Sequence, residues 1–202
     1  QVITLTNNVD YQIKTVYSDS LLLISLDTFL GSDNILYEGI PNYIRKELDQ
    51  KYIPSQIVEK FSAYVIPPLD NRTFLAHMLY EGKKLFLQDL LLPQDEDNIK
   101  IAYSKNELDW VIKNEVYIWK FFIEKQLLYS TDIELVERFI EPAPFSKFYL
   151  QLDNESPGKI GRWIGWQIIR SFHEQNPDFP LQKLLNMSSQ KIFNQSRYKP
   201  KQ

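Results

Sequence analysis

The sequence predicts an α+β fold, mostly α-helical, in which a small N-terminal antiparallel sheet packs with a helical bundle. Three observations lead there. Strand-like alternation is confined to the stretch before Leu26. Helical periodicity recurs four times afterwards, and capping or proline signals mark where most of those stretches start and stop. The composition, 44% hydrophobic and 24% charged, is that of a globular chain able to bury a core.

The elements follow in order. Val2-Ile3-Thr4-Leu5-Thr6 alternates and stops at Asn7-Asn8, a good turn pair. β-branched and aliphatic character resumes at Thr15–Tyr17 and again at Leu21–Leu26, which completes the sheet. Past Gly31 the pattern turns helical. Pro54 opens a helix with Ile57, Val58, Phe61 and Val65 on one face, closed by Pro67-Pro68. A second helix runs from about Thr73 to Leu91 and stops before Pro93. Ser104 and Glu107 form an S-x-x-E capping box, each side chain satisfying the other's free backbone N–H. Leu108, Val111, Ile112, Trp119, Phe122 and Ile123 follow at helical spacing. Thr131 and Glu134 repeat the box for a shorter helix ending near Glu141. Ser156-Pro157 reads as an N-cap and first-position proline for a helix from Gly158 to about His173. Pro177 and Pro180 break the chain, and short helices fill 181–185 and 189–194. No repeat or linker divides the sequence, so one domain over 1–202 is expected, with the sheet in about 1–30 and the helical part in about 40–202.

Composition excludes several function classes. The absence of cysteine rules out disulfides, thiol catalysis and zinc thiolate sites within this stretch. A net charge of −3 gives no broad basic field for nucleic acid, and the Arg197-Tyr198-Lys199-Pro200-Lys201 end reads as a solvated tail. No apolar run approaches the ~20 residues that span a bilayer. The chain begins at Gln1 without an initiator Met and reads as part of a longer or processed product. Twelve Phe, twelve Tyr and four Trp suggest a well-packed core and an aromatic-lined groove.

Catalytic motifs are missing. His173-Glu174 continues Gln175-Asn176-Pro177, which is not H-E-x-x-H. Phosphate-cradling loops, serine elbows and spaced catalytic carboxylate pairs are missing too. His77 and Glu81, four apart on one helix face, offer two metal ligands. Lys84 and Gln88 continue that stripe, so it reads as a polar face with a solvated or hydrogen-bonded pair. Glu115 sits on the apolar stripe between Ile112 and Trp119. A carboxylate there is either a general acid/base or a partnered core group, and the second is expected, with Lys, Arg or a Tyr hydroxyl as partner. Gly161 and Gly165 flank Trp163 and precede Trp166; small residues on one face point to close helix packing inside the domain. No catalytic, cofactor or metal residue is assigned. His77, Glu81, Glu115, Glu155, Trp163 and Trp166 are the candidate functional positions.

Several segments together resemble the gliding motility lipoprotein GldB family of Bacteroidota. They are Ile24–Gly31 (ISLDTFLG), Gly39–Arg45 (GIPNYIR), Met78–Phe86 (MLYEGKKLF), Asn114-Glu115 with Ile118-Trp119, Phe122–Asp132 (FIEKQLLYSTD) and Glu155–Ile169 (ESPGKIGRWIGWQII). The last three are the most specific, and the likeness covers almost the whole chain. It implies a lipid-modified cysteine upstream of Gln1, membrane anchoring facing the periplasm, and a role with other envelope proteins of gliding and type IX secretion. A weaker resemblance, to gluzincin-like metallopeptidases, rests on a small sheet, a helix and then a helix with Glu81-Gly82, where that family keeps its third zinc ligand. The preceding helix reads Gln56–Tyr64 (QIVEKFSAY), without either histidine of that family. The expected function is therefore partner binding without catalysis, cofactor or metal. The alternative is a hydrolase on peptide or peptidoglycan, with a site around Glu81 or Glu115.

Overall fold

The computed structural model describes residues 1–150 and 153–200. It begins with three short strands, β1 (Val2–Leu5), β2 (Thr15–Ser18) and β3 (Leu21–Ser25), in the order β1-β3-β2. Nine α-helical segments follow among the described residues, so the fold is α+β and mostly α.

The sheet is mixed, not antiparallel. β2 and β3 form a hairpin pairing Val16 with Leu23, but β1 runs parallel to β3, with Val2 opposite Leu22. The cause lies at Asn7-Asn8, which makes no hairpin. Oδ2 of Asp27, just beyond β3, accepts the backbone N–H groups of Asn7 at 2.8 Å and Val9 at 2.9 Å. Asn8 and Val9 both take left-handed φ angles, 51° and 56°, to aim those groups at one oxygen. The chain thereby swings past the end of β3 and returns as β2 on its far side.

After α1 (Asn42–Arg45), helix α2 (Ile53–Val65) lies between the sheet and α3 (Phe74–Leu91). Its apolar side reaches β2, where Phe61 meets Tyr17 edge-on at 5.4 Å. Its fully buried positions are mostly the small or polar Ser55, Gln56 and Ser62, while Val65, expected on the core face, is exposed. Thr73 caps α3 by accepting the N–H of Ala76. Helix α3 is surrounded, so the stripe expected to be solvated is buried: Glu81 is 9% exposed, Lys84 8% and Gln88 2%.

Helix α4 (Asp97–Lys100) leads to α5 (Lys105–Glu124), whose Ser104–Glu107 capping box forms as expected. Val111, Ile118 and Phe122 of α5 point inward, whereas Ile112 and Ile123 face out. Helix α6 (Glu134–Phe139) starts without the Thr131–Glu134 box. Asp132 stands closer to its first turn and takes the Glu134 N–H at 3.0 Å. Helix α7 (Ile160–Gln175) starts two residues later than expected, after Lys159 in a left-handed conformation. Ser156 does not cap it. Its hydroxyl accepts the Ser146 N–H and donates to the Asp153 carbonyl, tying two loops together.

Helices α3 and α7 make the most extensive packing of the fold, crossing where Gly82 meets Gly165. A methyl on either would run into the opposing backbone. Around this crossing sit Phe74, Met78, Phe122, Phe139, Ile164 and Trp166. Helices α8 (Leu181–Leu185) and α9 (Ser189–Ser196) close the underside. Of the basic end expected as a solvated tail, Arg197 and Lys199 are exposed, but Tyr198 between them is 9% exposed and its hydroxyl donates to Glu115 at 2.9 Å; Lys201 lies outside the described residues.

Candidate functional site

Between the N-terminal loop, α2, α3 and the start of α7 lies an open cleft of about 540 Å³. Its floor alternates in charge. Glu47, just past α1, holds Lys159 at 2.9 Å and Lys14 at 3.3 Å. Lys159 also donates to the Ile101 carbonyl at 2.8 Å. Next to this chain, Glu81 of α3 holds Lys84 at 2.7 Å and Arg162 of α7 at 3.2 Å. Glu59 of α2 reaches the same two cations, each at 3.5 Å and through the same oxygen. The Arg162 guanidinium is oriented by its Nε, which donates to the Ile140 carbonyl at 2.7 Å.

Burial opposes the charge on Glu59, but Lys84 and Arg162 overcome it and bring its carboxyl down to about 2. Burial likewise works against Glu47, and Lys159 and Lys14 hold its carboxyl below the ordinary value. Burial and then the Glu47 charge push the Tyr52 phenol on the cleft wall up to about 12. One polar atom stands apart. Gln88, one turn beyond Lys84 on the same wall, has a buried Oε1 without a partner among the described residues.

The sequence candidates do not gather here. Glu81 alone lies in the cleft. His77, a turn earlier on α3, is outside its lining, and burial lowers its imidazole pKa. Glu115 and Trp163 line a second groove, of about 900 Å³, between α5, α7 and the C-terminal segment. Glu115 is half-buried. Its oxygens accept from the Trp163 indole at 2.9 Å and from Tyr198. Trp166 is buried apart, its indole donating to Asp89 at 2.8 Å beneath the Arg170 guanidinium. Glu155 is exposed. Sequence reading assigned no role to Glu47, Lys159 or Arg162. Arg162 left a trace, as the charge between Gly161 and Gly165.

A general acid or base needs a carboxyl free to exchange its proton. In the cleft Glu47, Glu59 and Glu81 each face lysine or arginine, and Glu141 stands exposed at the rim. Among the described residues no three His, Cys, Asp or Glu side chains converge as metal ligands. Between Glu59 and Glu81, where an ion would need to sit, are Lys84 and Arg162.

The family model described as gliding motility protein GldB matches residues 1–200. The chain belongs to the GldB family. It is thus a gliding-motility lipoprotein by family. No curated protein and no solved structure matches the chain. In this GldB-family chain, Met78–Phe86 and Glu155–Ile169, two segments that carry the resemblance, form the α3–α7 crossing and the charged wall beside it. Among the described residues no helix is long and apolar enough to cross a membrane.

Proposed function

We propose that this GldB-family chain works in the cell envelope, lipid-anchored and facing the periplasm, by binding other proteins of the gliding apparatus and of type IX secretion. On this reading it is not an enzyme. The observation that supports a binding role is the cleft floor. Its floor carboxylates Glu47, Glu59 and Glu81 are engaged by Lys14, Lys84, Lys159 and Arg162, so the one lining carboxylate outside these pairs among the described residues is Glu141, exposed at the rim, and the floor offers a shaped, charged surface.

The test is genetic and physical. Cells whose only copy lacks residues 1–202 are expected to lose spreading and type IX export. Crosslinking with mass spectrometry in gliding cells is expected to join cleft residues to envelope proteins of those systems. Normal spreading and export would remove the assignment. Peptide or peptidoglycan hydrolysis by the purified protein, abolished by Glu81→Gln, would put the hydrolase reading in its place.

A further inference from the structure

The four-charge cluster at the cleft floor is unequal in a way that points to a ligand. Glu81 engages both cations, one oxygen to each, at 2.7 Å and 3.2 Å, and its side chain is 12% exposed. Glu59 offers a single oxygen to both at 3.5 Å, and its side chain is 39% exposed. One anion is bound at close range on both sides; the other meets the same cations at longer range and is the more exposed. Cations outnumber carboxylates along the lining although the chain as a whole is acidic.

We propose that the cleft receives the C-terminal carboxylate of a peptide, and that Glu59 occupies the ligand's place until one binds. A free carboxylate presents two oxygens, one for the Lys84 ammonium and one for the Arg162 guanidinium, the geometry that Glu59 meets only in part. Arg162 is already aimed by its bond to the Ile140 carbonyl, so little ordering is needed on binding.

Gln88 makes the ligand a peptide rather than a bare anion. It is 2% exposed, lies one helical turn beyond Lys84, and keeps an acceptor oxygen without a donor among the described residues. Side chains four apart on a helix stand ~5–6 Å apart. That is within two residues of an extended chain at ~3.3–3.6 Å each. An extended peptide whose carboxylate meets Lys84 and Arg162 is therefore long enough to present a backbone N–H at the Gln88 position. An unmet buried acceptor costs more than the bond it gains, so this contact selects for a ligand that supplies the donor. The volume, about 540 Å³, lies in the range of ligand clefts.

The inference deepens the binding reading above by naming the ligand's chemistry, and it is tested separately from gliding. Purified protein is offered an equimolar library of N-acetylated tetrapeptides with free C-termini, the same library C-terminally amidated, and inorganic phosphate as competitor. Retention of the free acids and not the amides, uncompeted by equimolar phosphate, is expected. Glu59→Gln, which removes the stand-in, is expected to tighten binding roughly tenfold. Gln88→Met, an apolar change at a buried position, is expected to weaken it without loss of fold. Equal retention of acids and amides, phosphate competition at parity, or weaker binding by Glu59→Gln would each overturn the proposal. Absent peptide binding beside a lost gliding phenotype sinks this inference alone. Peptide binding in a protein dispensable for gliding sinks the function reading alone.

Discussion

Glu59 and Glu81 share two cations, and their different depths set different consequences for change. Lys84 is 8% exposed against Glu81 at 9%, so Lys84→Met would leave a buried carboxylate with only the longer contact to Arg162. Breaking one side of a buried pair costs ~3–5 kcal/mol. A loss of that order is expected in urea denaturation; a variant within ~1 kcal/mol of wild type would mean the pair is solvated. Glu59 predicts a pH effect instead. Its carboxyl falls from an ordinary 4.5 to about 2 on folding, so the unfolded chain binds the proton first as pH drops. Its contribution is complete above pH 4.5 and is lost progressively down to about pH 2. The melting temperature should fall across that window, with a shallower slope in Glu59→Gln. Parallel slopes would contradict the ion pairing. Glu115 tests a third environment. Glu115→Gln keeps only one acceptor for two donors, Trp163 and Tyr198, and is expected to cost ~1–3 kcal/mol and to change tryptophan fluorescence. Unchanged melting and emission would show that Tyr198 does not depend on the bond.

At the scale of elements, the crossing of α3 and α7 is the most sensitive point. Gly82→Ala and Gly165→Ala each force a methyl into the partner's backbone, and neither helix can withdraw without opening the core around Met78 and Trp166. Loss of cooperative unfolding is expected in both. Gly39→Ala is the control: φ is +86° but the space is empty, so only local strain of roughly 1 kcal/mol follows. Similar melting for all three variants would refute close helix contact. The same crossing explains why some elements were legible and others were not. Gly161 and Gly165 announced a tight interface, and Ser104 with Glu107 announced a helix start, because both signals are local. Thr131 and Ser156 carried equally good local signals. Asp132 captured one cap, and the need to join the 146 and 156 loops captured the hydroxyl of the other.

Across the whole molecule, the helical part was readable because period and proline punctuation agree, whereas the sheet's direction was not. Nothing near Asn7-Asn8 reveals that Asp27, twenty positions away, will gather its backbone N–H groups. The cleft was half legible for a related reason. The stripe Glu81, Lys84, Gln88 was visible, but a polar stripe on one helix looks alike whether it meets water or opposite charges on other helices. What buries it is Glu59 and Arg162, 22 positions before and 81 after Glu81, and single-helix periodicity contains neither. The family resemblance reached farther because it reads the segments together.

The order β1-β3-β2 also has a mechanical meaning. β1 is bonded on one side only, and Val2 is 65% exposed. Tension applied at Gln1 would draw on those few bonds before it reaches α3 or α7. It would stop at Asn7, where Asp27 grips the chain. Six freed residues at ~3.3–3.6 Å each make a leash of roughly 20 Å that can pay out and rewind while the helical body stays folded. Optical tweezers pulling on Gln1 should record that short step at low force, and Asp27→Ala should lengthen it.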